Sequence, residues 1–211
     1  MKTYYGSKST ISYEWDFDDL NYVQRKLGEM KGSARKVLKN AVNKTAISAR
    51  VKLRQEAQKR YTANSAGINS RIDITKATIG SPVAWIKVKG RTLTMPRFRH
   101  TMSRKSGVKV EVIKGSGLKP VEGSKGIKAF VSKTISGDKK NPNKQTITTQ
   151  IFQRRSSERY PLKVLRSVSV PKMIEMVYDG KQITSTPLKQ EIERLYRHYV
   201  DQEIERTLNS K

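Results

Sequence analysis

SARKVLKNAVNKTAISARVKLRQEAQKRY, residues 33–61, is the stretch that decides the fold. Apolar or small residues recur at Ala34, Val37, Leu38, Ala41, Val42, Ala46, Ala49, Leu53 and Ala57. Their three- and four-residue spacing places them on one face of a helix. Lys36, Lys39, Asn43, Arg50, Arg54 and Arg60 fall on the opposite face. A long helix with a single apolar stripe needs a second layer to cover it. Its alanines suit close packing against a sheet or another helix. Gly32 marks a break before this stretch, and Ser33 is a suitable N-cap.

Beyond the helix the hydrophobic period changes from about 3.6 to 2. Ile72, Ile74 and Ala77 open one strand candidate, and residues 83–88 (VAWIKV) form a second. Val108, Val110 and Val112 alternate with charge. Residues 127–133 and 146–153 (TITTQIFQ) are further β-prone runs. Gly- and Lys-rich stretches, 115–126 and 136–144, separate them, and SGDKKNPNK at 136–144 reads as an exposed hairpin tip. An antiparallel sheet or small sandwich of about five or six strands is expected.

The ends complete the plan. Thr10–Asp16 (TISYEWD) alternates as a short strand, and Asp18 and Asp19 offer N-cap chemistry for a helix from near Leu20. Thr186 and Pro187 suit the start of a last helix, along which Leu188, Ile192, Leu195, Tyr196, Tyr199, Val200, Ile204 and Leu208 form two apolar rows. The expected class is α+β: a long N-terminal helix packed on an antiparallel β-sheet or small sandwich, with a C-terminal helix. Along the chain this gives an N-terminal strand and short helix, partly extended (1–32), a basic α+β core domain (33–180) and a C-terminal helix (181–211).

Composition narrows the function. The 211 residues carry 44 Lys and Arg against 18 Asp and Glu, a net charge of +26. Residues 1–32 are balanced, five against five, and residues 181–211 carry six against five. The remaining +25 therefore lies in 33–180. Such a block repels itself unless it meets acidic protein, nucleic acid or counter-ions. Apolar residues are 35% of the chain, against about 45–50% in an average globular domain. That supports a modest core, with stability contributed by neighbouring subunits. There is no cysteine, which excludes disulfides and thiolate metal sites and fits a reducing cytoplasm. No apolar run approaches the roughly 20 residues of a membrane span. Met1–Leu20 lacks the apolar region of a secretory signal. A soluble protein retained in the producing cell is expected, with no membrane partner.

Catalytic chemistry is poorly represented. His100 sits in the basic run RFRHTMSRK, and His198 follows Arg197; neither has ligands at metal spacing. The acids of residues 33–180 are mostly isolated in sequence, whereas a metal-dependent nuclease clusters carboxylates. Gly115-Ser-Gly-Leu-Lys-Pro120 lacks phosphate-loop spacing. Two basic clusters stand out instead. Arg97, Arg99, Arg104 and Lys105, with Lys109 beyond them, surround Phe98; Arg154, Arg155, Arg159 and Lys163 lie beside Phe152 and Tyr160. Interleaved cations and aromatics can grip phosphates and stack bases. Strand alternation gives the plainer reading, with aromatics inward and cations outward. The eight named cations are the candidate contact surface; no catalytic, cofactor or metal residues are expected.

The motifs resemble a family. Residues 151–165 (IFQRRSSERYPLKVL) resemble the F-x-R-x…R-x-P-[IL]-x-x-L pattern of phage minor tail proteins of the Z type, also called tail completion proteins. Ser167-Val168-Ser169-Val170-Pro171-Lys172-Met173 is similar to that family's S-V-P-x-M ending. Gly126–Val131 is similar to its G-A-F strand. Ala41, Asn43, Thr45, Ala46 and Arg50 resemble its A-x-N-x-T-A-x-x-x-R helix, and Leu93–Phe98 (LTMPRF) stands where the family has I-P-L-x-x-F. The likeness covers about residues 30–180. It departs at Ser156-Ser157, where the family often has glycine. The resemblance implies a non-enzymatic virion protein in the tail or neck, assembled from host cytoplasm, which completes the head-proximal end of the tail and supports head–tail joining. It implies a ring of copies, expected to be sixfold, a number no residue pattern fixes. Tail terminator, tail tube or neck and connector proteins are the implied neighbours, with possible contact to packaged DNA. It implies no small-molecule substrate and no cofactor. The alternatives are a basic nucleic-acid-binding protein without catalytic activity and, more remotely, a nuclease.

Overall fold

The computed structural model describes residues 3–4, 8–103, 107–121, 127–137, 145–180 and 187–210. In chain order the elements are β1 (Thr3–Tyr4), β2 (Lys8–Glu14), α1 (Phe17–Leu27), a 3-10 segment (Gly28–Ser33), α2 (Ala34–Arg60), α3 (Ser65–Asn69), β3 (Ile72–Thr75), β4 (Val83–Lys89), β5 (Thr92–Thr94), a 3-10 turn (Met95–Arg97), β6 (Arg99–Ser103), β7 (Gly107–Glu111), β8 (Lys119–Pro120), β9 (Phe130–Gly137), β10 (Gln145–Arg154), β11 (Leu162–Val164), β12 (Arg166–Ser169), α4 (Val170–Tyr178) and α5 (Leu188–Leu208). The chain is α+β with antiparallel sheets. It divides into two compact units, one of residues 1–57, 69–90 and 170–211, the other of 58–68 and 91–169.

The first unit joins an antiparallel sheet, ordered β1-β2-β4-β3, to four helices. All nine residues of the apolar stripe on α2 are buried, and Thr45 is buried between them. Thr45 is tolerated there because its hydroxyl donates to the Ala41 carbonyl at 2.8 Å. Val23 and Leu27 of α1, Ala34, Val37, Leu38 and Ala41 of α2, and Val200 and Ile204 of α5 form one three-helix core. On β4, Ala84, Ile86 and Val88 are buried at alternate positions, as a half-buried strand requires. α4 packs on β2 and β4, and its Val170, Met173, Ile174 and Val177 are buried. The Asn43 side-chain amide donates to the Ala77 carbonyl at 3.0 Å, and its oxygen accepts the Ala77 N–H at 2.7 Å. One polar residue of the helix motif thus fastens α2 to the chain after β3.

Among its described residues the second unit holds three small antiparallel sheets, ordered β6-β7-β8, β11-β10-β9 and β12-β5. Its core includes Leu93, Phe98, Val108, Val110, Ala129, Ile151, Phe152 and Leu165. Phe130 and Phe152 stack with centroids 6.1 Å apart at the base of the β9–β10 ribbon.

Several expectations need correction. The compact units do not follow the linear segments 1–32, 33–180 and 181–211. The 33–180 stretch is shared by both units, because β3, β4 and α4 pack with the terminal elements. The expected α+β class with antiparallel sheets is present, and among the described residues its strands are shared by four small sheets. Pro171 follows a β-prone run yet stands in a helix. It lies in the first turn of α4, where its missing N–H costs no helical hydrogen bond. Val170 and Met173 therefore belong to a helix. Pro187 stands one residue before α5, and Thr186 lies outside the described residues. The α2 helix has no Ser33 cap, since the chain enters it directly from the 3-10 segment. The proposed hairpin tip between β9 and β10 lies mostly outside the described residues, 138–144.

The first helix also starts earlier than expected. Its cap is Asp16, whose carboxylate accepts the Asp19 N–H at 3.0 Å, while Asp19 accepts the Asp16 N–H at 3.3 Å. This reciprocal pair satisfies two otherwise orphaned donors and sets carboxylates against the positive end of the helix. Asp16→Ala should lower stability by about 1 kcal/mol, seen as a lower midpoint in urea unfolding followed by circular dichroism. An unchanged midpoint would show the cap to be energetically idle.

Candidate contact surface

The first basic cluster is built around a buried aromatic. Phe98 is buried, and Arg97 and Arg99 on either side are exposed. This is the alternation expected of extended backbone, with the ring in the core and the cations outside. The Arg97 carbonyl accepts the Asn64 N–H at 3.0 Å, and the Met95 N–H donates to Leu165 at 3.2 Å, which fixes the turn. Arg99 has a partner. It stands opposite Glu111 in the β6–β7 ladder, and its Nη1 lies 3.0 Å from Glu111 Oε2. Glu111 is buried and also accepts the Gly115 N–H at 2.8 Å. Arg99 therefore neutralises a buried carboxylate while most of its side chain remains in solvent. Arg104 and Lys105 lie outside the described residues. His100 Nδ1 lies 2.9 Å from the Phe98 carbonyl oxygen, and the second histidine, His198, is on the exposed side of α5.

The second cluster spans the end of β10, the following turn and β11. Ile151 and Phe152 are buried; Arg154, Arg155, Arg159 and Lys163 are exposed. Arg154 is opposite Leu162 and Lys163 opposite Gln153, so the ladder sets the register of these two cations. Tyr160 is exposed rather than in the core, and the Arg159 guanidinium lies 5.8 Å from its ring centroid. The aromatic residues thus divide: Phe98 and Phe152 turn inward, Tyr160 outward.

Both clusters belong to the second unit and share a backbone scaffold. The turn carrying Arg97 donates to Leu165, and the Leu165 N–H donates to Ile151 at 2.9 Å on the strand carrying Arg154. Arg166 of β12 is another exposed cation of this unit, its Nη1 3.4 Å from the Thr92 carbonyl. It was not among the residues singled out from sequence, although its alternation in R-S-V-S was a usable signal. Counted by unit, the second holds 21 basic and 4 acidic residues, the first 23 and 14. The smaller unit therefore carries +17 of the +26.

A further surface feature had no signal in the sequence. Ile135 and Ile147 are opposite each other on the β9–β10 ribbon, 64% and 63% exposed. Strand alternation alone would have turned these β-branched residues toward a core. Among the described residues, no group of three or more His, Asp or Glu side chains is placed to hold a metal ion, and no helix is long and apolar enough to cross a membrane. Chemically, the arrangement presents cations on short, hydrogen-bonded β-scaffolds; it suits electrostatic contact with an acidic surface. No family model, curated protein or solved structure matches the chain.

Proposed function

We propose that this chain is a structural, non-enzymatic protein of a tailed-phage particle, which completes the head-proximal end of the tail and supports its joining to the filled head as one subunit of a ring. The observation that carries this reading is the order of motifs between residues 30 and 180, ending in IFQRRSSERYPLKVL and SVPKM, which resembles the tail completion proteins. Supporting it, the cations of that motif are exposed while Ile151, Phe152 and Leu165 anchor it in the core, an arrangement suited to a docking surface. Acidic surfaces of neck or tail proteins would supply the complementary charge. Removing the protein from a phage that encodes it should leave tails of normal appearance that join heads poorly. Normal infectivity after a clean deletion would defeat the proposal.

The +17 of the second unit favours one alternative, nucleic-acid binding independent of any particle. Counter-ion release separates the two. A polyanion-gripping surface that neutralises several phosphates gives a log Kd on short duplex DNA that rises steeply with log salt. Such binding by the purified chain, joined to a deletion that leaves particles infectious, would select the alternative.

A further inference from the structure

The first unit carries two complementary patches that the motif reading does not use. One is a groove of about 680 Å³ between α2 and β3. Ile47, Arg50, Val51 and Arg54 follow the helical spacing that puts them on one face of α2, and Ile74 and Lys76 line the other wall. Ile47 is 44% and Val51 37% exposed. The groove is therefore lined by three apolar residues and three cations, with Asp73 as the one acid of its lining.

The other patch is the start of α1. Phe17 is 81% exposed, far more than the aromatic residues that merely flank a core. Glu14, Asp16 and Asp18 around it are exposed. Residues 9–24 contain four acids and no base, although the whole chain is +26. An exposed phenylalanine beside exposed carboxylates is a poor fit to bulk water and a good fit to a groove lined by apolar residues and cations. A nucleic-acid backbone would match the groove's charge but would leave Ile47 and Val51 uncovered.

The two patches lie on different flanks of the sheet. β2, which leads into α1, pairs with one side of β4, and β3 pairs with its other side. Each patch carries mainly one sign of charge, so neither complements its own copy. A contact between unlike patches on successive copies is heterologous and generates a ring where the rotation closes.

We propose that the Phe17 knob of one copy seats in the Arg50–Arg54–Lys76 groove of the next, with Asp18 and Glu14 facing the groove's cations. This deepens the ring-subunit reading by naming the contact. The test is sedimentation velocity of the purified full chain at 0.15 M salt, where the Debye length of about 8 Å damps repulsion between distant like charges but spares close pairs. The wild type should self-associate. Asp18→Arg and Arg54→Glu should each weaken association at least ~10-fold, and the two substitutions together should restore most of it, with every variant retaining the wild-type circular dichroism. Arg50→Glu replaces Arg54→Glu if the latter does not fold. A monomeric wild type, single variants that associate as the wild type does, or a double variant no better than the singles would overturn the contact. So would loss of duplex-DNA binding in Arg54→Glu without any self-association in the wild type. Because no particle is involved, a failure here leaves the deletion phenotype to judge the virion role separately.

Discussion

Arg154→Glu combined with Arg155→Glu should lower the yield of joined, infectious particles by at least ~10-fold while leaving the monomer folded. Both side chains are exposed, and the residues that hold the motif in the core are others, namely Ile151, Phe152 and Leu165. Exposed substitutions of this kind shift stability by no more than about 0.5 kcal/mol. The effect on docking is larger because two attractive charges become two repulsive ones, which takes the net charge of each copy from +26 to +22. In a ring the change is repeated in every subunit, so modest losses per contact accumulate across the assembly. Complementation of a deletion with the double variant measures the yield, and far-ultraviolet circular dichroism with thermal unfolding checks the fold. Wild-type yield would show that this turn faces solvent in the particle. A lost thermal transition would show that the turn belongs to the packing of the second unit.

That prediction rests on a feature the sequence already made plain: an arginine-rich turn between apolar anchors. The α2 stripe was legible for the same reason, since helical periodicity over many turns is a local signal. Every one of its nine apolar positions, from Ala34 to Ala57, is buried. Strands β4 and β7 were legible from alternation. The α4 helix was not read, although Val170, Met173, Ile174 and Val177 have helical spacing. Pro171 follows β-prone residues and would suit a strand edge, but it fits a helix's first turn equally well. Other features depend on tertiary closure and leave no local trace. The two units are interleaved because β3, β4 and α4 return to the terminal elements, so linear segmentation could not find them. The Arg99–Glu111 pair depends on the register of β6 against β7. Glu203 lies 2% exposed and accepts from Asn40 of α2, a placement that the apolar rows of α5 do not signal.

Glu203→Gln should destabilise the protein by about 2 kcal/mol at pH 7, and the loss should shrink toward zero in acid. The Glu203 carboxylate accepts from Asn40 Nδ2 at 2.9 Å and pairs with Lys44 Nζ at 2.7 Å, with Arg206 Nη1 at 3.7 Å. These groups join α5 to α2 beside the three-helix core. Burial by itself pushes the carboxyl upward. The hydrogen bonds from Lys44 and Asn40, with the charges of Lys44 and Arg206, outweigh burial and hold it below the ordinary glutamate range. Glutamine keeps the shape, so little cavity forms, but it removes the charge and turns an amide group toward donors. Removing one partner from a fully buried ion pair costs about 3–5 kcal/mol. The Lys44 side chain is 37% exposed and can rehydrate, which brings the figure down. A carboxyl with a depressed folded pKa contributes stability that is complete above its unfolded value of about 4.3 and disappears as pH falls through the folded value. Wild type and variant should therefore differ most above about pH 5 and converge only once the pH has fallen below the depressed folded value, where the wild-type carboxyl is neutral in both states. Urea unfolding at a series of pH values reads this directly. A gap that persists unchanged into acid would mean that Glu203 acts through its shape, and equal stability at pH 7 would mean that the carboxylate's attractions only balance the cost of burying it.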